Sequence, residues 1–407
     1  MEPRGTPTRS KLTICFTLPY SQKKITGIGR FVADLARKLQ NAHLESMVLA
    51  PWTPGTASED GSLRLRGTFL LNFQLAVRTA VRLFQVRHRF QILHAQHAQF
   101  QSLAALIAAR ILGKASVITL HGQVPDPSGW VRKALKRLAE QLSVMTATKV
   151  VAVSTFVGQH FSKDRGDIEV IENGVDTKVF RPNETERAQL RASLGIDREL
   201  TFVFAARWAK SKGIDLVLEA IRSPRLASRH FVLLLAGEAD PTDVDDSLRM
   251  SELLAAQSQV RILGPAFESL PGILSAADVF VLPSLYEGMP LGLLEGMATG
   301  LPGLVSDIEV NRMIVERSGC GWTFRSGDAV DLSNVMDEIV TKGVPPSFPA
   351  KARAAVEQYY NLDDEVRRYL SVYERLVGGF PAVRTASQGK PRPPARKPTR
   401  SRKSTGG

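Results

Sequence analysis

Short apolar runs recur along this chain. Between them, apolar positions fall three and four residues apart. Leu12–Leu18 is the first run. A polar, glycine-bearing stretch follows, and then Phe31, Leu35 and Leu39 at helical spacing predict a helix over about Arg30–Leu39. The runs Ser46–Ala50, Ile92–Ala95, Ser116–Leu120, Lys149–Val153 and Glu169–Ile171 extend the series. Apolar strands alternating with helices predict a doubly wound parallel sheet, because helices cover both of its faces. The alternation restarts at Thr201–Ala205, Phe231–Ala236, Val260–Leu263, Val279–Leu282, Gly303–Ser306 and Gly321–Phe324. The chain thus reads as two α/β domains, 12–180 and 200–358, joined by a polar linker over 181–199. A C-terminal helix is expected over Tyr359–Val377, within a segment 359–380. Flexible ends are expected at 1–11 and 381–407.

The most informative stretch is 279–307, VFVLPSLYEGMPLGLLEGMATGLPGLVSD. It predicts a buried strand closed by Pro283, a loop over Leu285–Pro290, a helix from Leu291 and a second strand at Gly303–Ser306. Pro290 suits a helix mouth, and Gly300 and Pro302 suit its end. Glu287 and Glu295 then stand eight residues apart around a helix N-terminus, at the carboxyl end of a parallel strand. Ligands of open α/β sheets bind there. The amides of Met289, Leu291, Gly292 and Leu293 can face an anion. Carboxylates repel phosphate but accept hydroxyls. Phosphate on the amides and hydroxyls on the acids describe a nucleotide sugar. By themselves the two acids also fit a helix-start residue and a surface residue.

Composition narrows the class. The chain has 407 residues, 43% hydrophobic and 23% charged, enough for two cores. No apolar run suits a membrane span, and MEPRGTPTRSK has no long apolar core of a secretory leader. Cys15 and Cys320 sit in probable strands of different halves, which predicts buried thiols in a reducing compartment, the cytoplasm. Net charge is +13, and eight of the cations lie after Phe380 with no acid among them. That Pro-, Ser- and Thr-rich tail has no core-forming pattern. It lacks stacking aromatics and a recognised binding motif, so no specific nucleic-acid partner is expected.

The segment P-S-L-Y-E-G-M-P-L-G-L-L-E-G-M-A-T-G-L-P, with Glu287 and Glu295, resembles the E-x7-E block of retaining glycosyltransferase family 4. The resemblance spans about 12–377. It implies two Rossmann-like domains facing a cleft, the GT-B architecture, with the last helix crossing back to the first domain. It implies transfer of a sugar from a UDP- or GDP-linked donor to a hydroxyl with anomeric retention, without cofactor or metal. The acceptor would be a glycan, a lipid-linked molecule or a small molecule.

Several residues take roles from that resemblance. Glu295 would hold ribose hydroxyls and Glu287 would orient the donor sugar. Arg207 and Lys212, in A-R-W-A-K-S-K-G, resemble the pair that binds the leaving diphosphate. Two cations at a strand end suit that charge, although as isolated residues they would be solvated. His121 follows the strand Val117–Leu120, and T-L-H-G resembles the segment beside the reacting sugar. His94 and His97 are expected to be structural. Gly27 and Gly29, in T-G-I-G-R, resemble the glycine loop facing the donor. The same pair also suits a plain tight turn. The backbone around Ile262 resembles the loop that reads the base. Gly237-Glu238-Ala239-Asp240 stands where G-x-G-P is usual. The clearest departure is at 306–313, where Glu309-Val310 replaces a glycine pair and Met313 replaces an acid, which puts donor contacts in that loop in question.

Other readings remain open on sequence. One is a second enzyme of this architecture, a nucleotide-sugar epimerase or a glycan phosphorylase. The E-x7-E block speaks against the first and the absence of a pyridoxal-lysine pattern against the second. Another is a non-catalytic sugar-nucleotide-binding subunit. Two stretches are basic and amphipathic. In 71–89, Phe73, Val77, Ala80, Val81 and Phe84 oppose Arg78, Arg82 and Arg89. In 131–142, Leu135, Leu138 and Leu142 oppose Arg132, Lys133, Lys136 and Arg137. Such helices either cover a sheet or lie on an anionic membrane.

Overall fold

The computed structural model describes residues 12–18, 27–42, 44–49, 68–122, 129–238, 258–265 and 269–378, with the side chains of 68–73 outside the description. The expected flexible ends, the stretch 19–26, the Phe73 side chain and Ala239-Asp240 lie outside the described residues. In the first half, strands β1 (Thr13–Thr17), β2 (Glu45–Leu49), β3 (Ile92–Gln96), β4 (Ala115–Leu120), β5 (Lys149–Ala152) and β6 (Glu169–Val170) form one sheet in the order β2-β1-β3-β4-β5-β6. Helices α1 (Gly27–Asn41), α2 (Thr68–Gln85), α3 (Phe100–Ile111), α4 (Trp130–Thr146) and α5 (Thr155–Phe161) separate the strands. All pairings are parallel. Ile14, Cys15 and Phe16 are consecutive and fully buried, as a strand covered on both faces requires. Both cysteines are buried and unbridged.

The second half opens with α6 (Glu184–Ser193), inside the stretch expected to be a linker. Asn183 Oδ1 caps it by accepting from Glu186 N–H. Arg187 donates to the carbonyls of Ser275 and Ala277, and Arg191 to that of Ala276. These bonds tie the crossing to the second half. Strands β7 (Leu200–Ala205), β8 (Phe231–Ala236), β9 (Val260–Gly264), β10 (Val279–Leu282), β11 (Gly303–Ser306) and β12 (Trp322–Phe324) pair in the order β12-β11-β10-β7-β8-β9, all parallel. Between and after them run α7 (Ile214–Ile221), α8 (Pro224–Ala227), α9 (Leu270–Ala276), α10 (Leu291–Ala298), α11 (Glu309–Ser318) and α12 (Ala329–Lys342). Among the described residues no helix is long and apolar enough to cross a membrane.

The chain ends in α13 (Phe348–Tyr359) and α14 (Leu362–Val377), where sequence spacing predicts one helix from Tyr359. The break has a tertiary cause. Val175 N–H donates to Tyr360 O at 2.8 Å, and Leu362 N–H donates to Val175 O at 3.1 Å, so these groups are lost to a continuous helix. Asn361 Oδ1 then caps α14 through Asp363 N–H. As expected, α14 crosses back to the first half. His94 Nδ1 lies 2.7 Å from Tyr373 OH, and its Nε2 lies 2.7 Å from Thr119 Oγ1, which in turn lies 3.0 Å from Tyr369 OH. Burial holds the His94 pKa down at about 3, so the ring is neutral and structural. Tyr373→Phe would leave one His94 ring nitrogen buried and unpaired. We expect a loss of about 1–3 kcal/mol in urea unfolding, and an unchanged midpoint would remove this contact from the ties holding α14.

Candidate active site

The carboxyl ends of the two sheets face each other and touch. β4 ends at His121-Gly122, and β10 runs into the 283–290 loop. A Cβ on Gly288 would lie 1.9 Å from His121 O, and one on Gly122 would lie 3.2 Å from Gly288 Cα. Only a glycine fits at 288. Gly213, which follows Lys212, is similarly constrained. Its φ is +72°, and a Cβ there would lie 2.2 Å from Pro283 O. The glycine pins the Lys212 loop against the loop that carries Glu287.

Glu287 is nearly buried. Its Oε1 accepts from Lys212 Nζ at 2.7 Å and from Ser284 Oγ at 2.7 Å. Glu295 lies inside α10, 3% exposed. Its carboxylate pairs with Arg30 from the first half, at 2.5 and 3.1 Å. Burial pushes the Glu295 pKa up to about 7, with Arg30 pulling it back. The Arg30 guanidinium also lies 5.5 Å from the Phe180 ring centroid. Sequence reasoning quoted T-G-I-G-R for its glycines and missed its cation. The glycines themselves need a correction. Gly27 and Gly29 form the first turn of α1, not a loop ahead of it. Phe31, Val32 and Leu35 bury one stripe of that helix, and this packing carries the helix back through the glycines.

The helix predicted from Leu291 begins there, with Pro290 as its N-cap residue. The first bond into it is Leu294 N–H to Pro290 O. The amides of Leu291, Gly292 and Leu293 precede that bond and sit at the positive end of the helix. Met289 is buried, and its carbonyl accepts from Asn173 Nδ2 at 3.2 Å. Arg207 follows β7 and is exposed at the same sheet edge. Ile262 lies within β9, an edge strand, as the apolar run Val260–Leu263 predicts, and not in a loop as its resemblance to the base-reading segment implies. The altered 306–313 segment runs from the last residue of β11 into the start of α11. Val310 and Asn311 turn inward, 2% and 0% exposed, while Glu309 stays on the surface.

His121 Nε2 lies 2.6 Å from Gln96 Oε1, and its ring meets Phe31 edge-on at 4.8 Å. Burial, then the neighbouring His97 and His94, hold its pKa well below the ordinary value. The ring is therefore neutral and can present a nitrogen lone pair. His97 was expected to be structural. It packs 5.6 Å from His121 and has φ +65°, the one positive value among the described non-glycine residues. Backbone strain of this kind gathers at working sites, and nothing in the sequence signals it.

A cavity of about 660 Å³ lies at the opposite strand ends, lined in part by Arg187, Asp278, Gly300 and Arg353. Arg353 donates to the carbonyls of Thr177, Phe180 and Ala298, so its guanidinium is used in joining segments. The convergent acids and cations are at the other edge.

Comparison with known proteins agrees with this geometry. Residues 25–179 match the family described as Glycosyltransferase Family 4, and residues 199–342 match Glycosyl transferases group 1. The chain is 27% identical over 306 residues to the UDP-Gal:alpha-D-GlcNAc-diphosphoundecaprenol alpha-1,3-galactosyltransferase of Escherichia coli, covering 72% of this chain and 77% of that one. It is 30% identical over 229 residues to the alpha-maltose-1-phosphate synthase of Mycobacterium tuberculosis, covering 52% and 58%. Among solved structures, sucrose-phosphate synthase from Thermosynechococcus elongatus superposes with a TM-score of 0.74 at 19% identity, covering 90% of this chain and 99% of that one. Anabaena HepE in complex with UDP-glucose gives 0.71 at 18%, covering 90% and 100%. These likenesses give the fold as GT-B. The chain belongs to glycosyltransferase family 4.

Proposed function

We propose that the cleft transfers a sugar from a UDP- or GDP-linked donor to an acceptor hydroxyl, with retention of anomeric configuration. One observation carries this reading. Glu287 and Glu295 flank the amide-bearing start of α10, and Lys212 reaches the same site at 2.7 Å from Glu287. The E. coli relative is named for a UDP-linked donor and a diphosphoundecaprenol-linked acceptor, and HepE was solved with UDP-glucose. Both names favour a uridine donor and keep a lipid-linked acceptor beside glycan and small-molecule ones.

In this mechanism the donor diphosphate lies against the amides of Leu291–Leu293, with Arg207 and Lys212 beside it. These groups stabilise charge as the phosphate leaves, the electrostatic task a metal performs elsewhere. Glu295 accepts the ribose hydroxyls and Glu287 holds the donor sugar. Neutral His121 lines the reacting face. The acceptor attacks from the side the phosphate leaves, and the departing phosphate oxygen takes its proton. The backbone of β9 around Ile262 lies beside the base.

A thermal-shift series with UDP, GDP and ADP tests the site. A nucleotide at a hundred times its dissociation constant adds about 2.7 kcal/mol, and Glu295→Ala should abolish the shift. If no nucleotide stabilises the wild type, the reading fails. Arg207→Ala should lower kcat/KM about 10²–10³-fold, and an unchanged rate would remove its phosphate role. Donor affinity should also follow Glu295 ionisation. Its folded-state pKa of about 7 is raised, so the carboxylate that accepts two hydroxyls is present above that pH and lost below it. From pH 8 to 6 nucleotide affinity should weaken by about tenfold more in the wild type than in Glu295→Gln. Equal slopes would mean that Glu295 does not hold the ribose as an anion.

A further inference from the structure

Strand alternation puts Ile92, His94 and Gln96 on one face of β3. It puts Val117, Thr119 and, one residue past the strand, His121 on the same face of β4. Packing agrees. Ile92 and Val117 join the core under α14, while Leu93, Ala95, Ile118 and Leu120 join the core on the other face. The polar members of the first face form a row. His94 is bound at both ring nitrogens, by Tyr373 and Thr119. Gln96 is different. It is 0% exposed, and its Oε1 lies 2.6 Å from His121 Nε2, but its Nε2 has no hydrogen-bond partner among the described residues. Burying an amide half unpaired is destabilising, and an apolar side chain would serve the core better. Departures of this kind gather at working sites. The next residue is His97, with its left-handed backbone.

The bond to Gln96 decides which nitrogen of His121 carries its proton. A carbonyl oxygen only accepts, so Nε2 donates and Nδ1 keeps the lone pair. Phe31 of α1 meets the ring edge-on, and His97 packs at 5.6 Å. The charged groups on the surrounding elements are engaged elsewhere. Arg30, beside Phe31, is bound to Glu295. Across the cleft, Glu287 precedes the Gly288 that touches the His121 carbonyl, and it is bound to Lys212 and Ser284. Burial and the neighbouring His97 and His94 all oppose an imidazolium at 121. An amide suits that setting. A carboxylate in the place of Gln96 would favour the imidazolium, which has no lone pair to offer. We infer that Gln96 is a positioning residue for the reaction: its carbonyl keeps the single proton of His121 on Nε2, so that Nδ1 accepts from a substrate hydroxyl. Held this way, His121 orients that hydroxyl without being strengthened as a base. That suits a reaction in which the departing phosphate oxygen takes the proton. The inference rests on the proposed transfer for the presence of that hydroxyl, and on the Gln96–His121 bond for the rest.

Nitrogen NMR of the full chain, labelled at histidine, tests the bond in the wild type. The His121 resonances are identified by their loss in His121→Asn. They should show a neutral ring protonated at Nε2 from about pH 6 to about pH 8. A proton on Nδ1, or a charged ring, would overturn the inference. Kinetics test the consequence. Donor and acceptor are kept saturating, so that the dependence of donor affinity on Glu295 drops out. Gln96→Leu should then lower kcat by about 10²-fold. Gln96→Glu should lose activity as pH falls from about 9 to about 6, and regain it as pH rises and the imidazole gives up its proton. A substitution that only loosened the core would depress the rate evenly across that range. Undiminished kcat in Gln96→Leu, or a Gln96→Glu profile parallel to that of wild type, would overturn the inference. Thermal melts check folding. If Gln96→Leu does not fold, the wild-type resonances and the Gln96→Glu profile decide. If the wild type transfers no sugar, the transfer reading falls and takes this inference with it. Normal transfer with the wrong nitrogen protonated overturns this inference alone.

Discussion

The two halves of this enzyme meet backbone to backbone at Gly122 and Gly288, and the geometry of the cleft follows from that contact. With a side chain at 288 the His121 carbonyl would be overrun. With glycine there, the end of β4 and the loop after β10 approach as closely as two chains can. Everything that reaches across is then short. Asn173 spans to Met289 O, and Arg30 spans to Glu295. At the far side, the Val175–Asn361 bridge and the tyrosines of α14 fasten the same two halves a second time. A cleft held at both sides can place groups from different domains within hydrogen-bond distance without a long loop between them.

That closeness explains the electrostatics. A carboxylate as buried as Glu295 would be neutral near physiological pH if nothing opposed desolvation. Arg30 opposes it, and the balance leaves the group near pH 7. Glu365, also fully enclosed, has no cation beside it among the described residues. Its carboxylate accepts one bond, from Gly174 N–H at 2.7 Å, and its pKa stands at about 8. The difference between the two acids is the arginine contributed by the other domain. Glu287 is held from within its own half, by Lys212 and Ser284.

Much of this could be read from the residues. Strands buried on both faces announce themselves as unbroken apolar runs, so all twelve of the strands predicted fall within a residue of their observed ends. Pro290 and Gly300 bound α10 closely for the same local reason. What the sequence could not show is non-local. α1 runs back through Gly27 and Gly29 because its packing stripe outweighs their poor helix propensity. The Tyr360-Asn361 break exists because Val175, far away in the chain, takes those backbone groups. α2 turns Ala76, Thr79 and Leu83 inward and leaves Val77 and Val81 exposed, and α4 turns Ala139, Ser143 and Val144 inward and leaves Leu138 exposed, so in neither helix does the apolar side read from the sequence face the sheet. His97 adopts a left-handed backbone that no local pattern demands.

The segment that departs most from the family shows how a substitution can be absorbed. Where bare glycines would leave backbone exposed, Val310 fills the core and Asn311 enters a chain of hydrogen bonds. Asn311 Nδ2 donates to Ser306 Oγ at 3.2 Å, and Ser306 Oγ donates to Ser284 O at 2.5 Å. Ser284 Oγ donates in turn to Glu287, which Lys212 also holds. The start of α11 is therefore connected to Glu287 through Asn311, Ser306 and Ser284, with the main-chain carbonyl of Ser284 as one link. A change at 306–313 thus bears on the bonds that hold Glu287 in place. Glu309, left on the surface at the first turn of α11, adds a negative charge at a helix end that otherwise favours anions. The departure therefore has two separable physical effects: one on the rigidity of a carboxylate, and one on the charge of a rim.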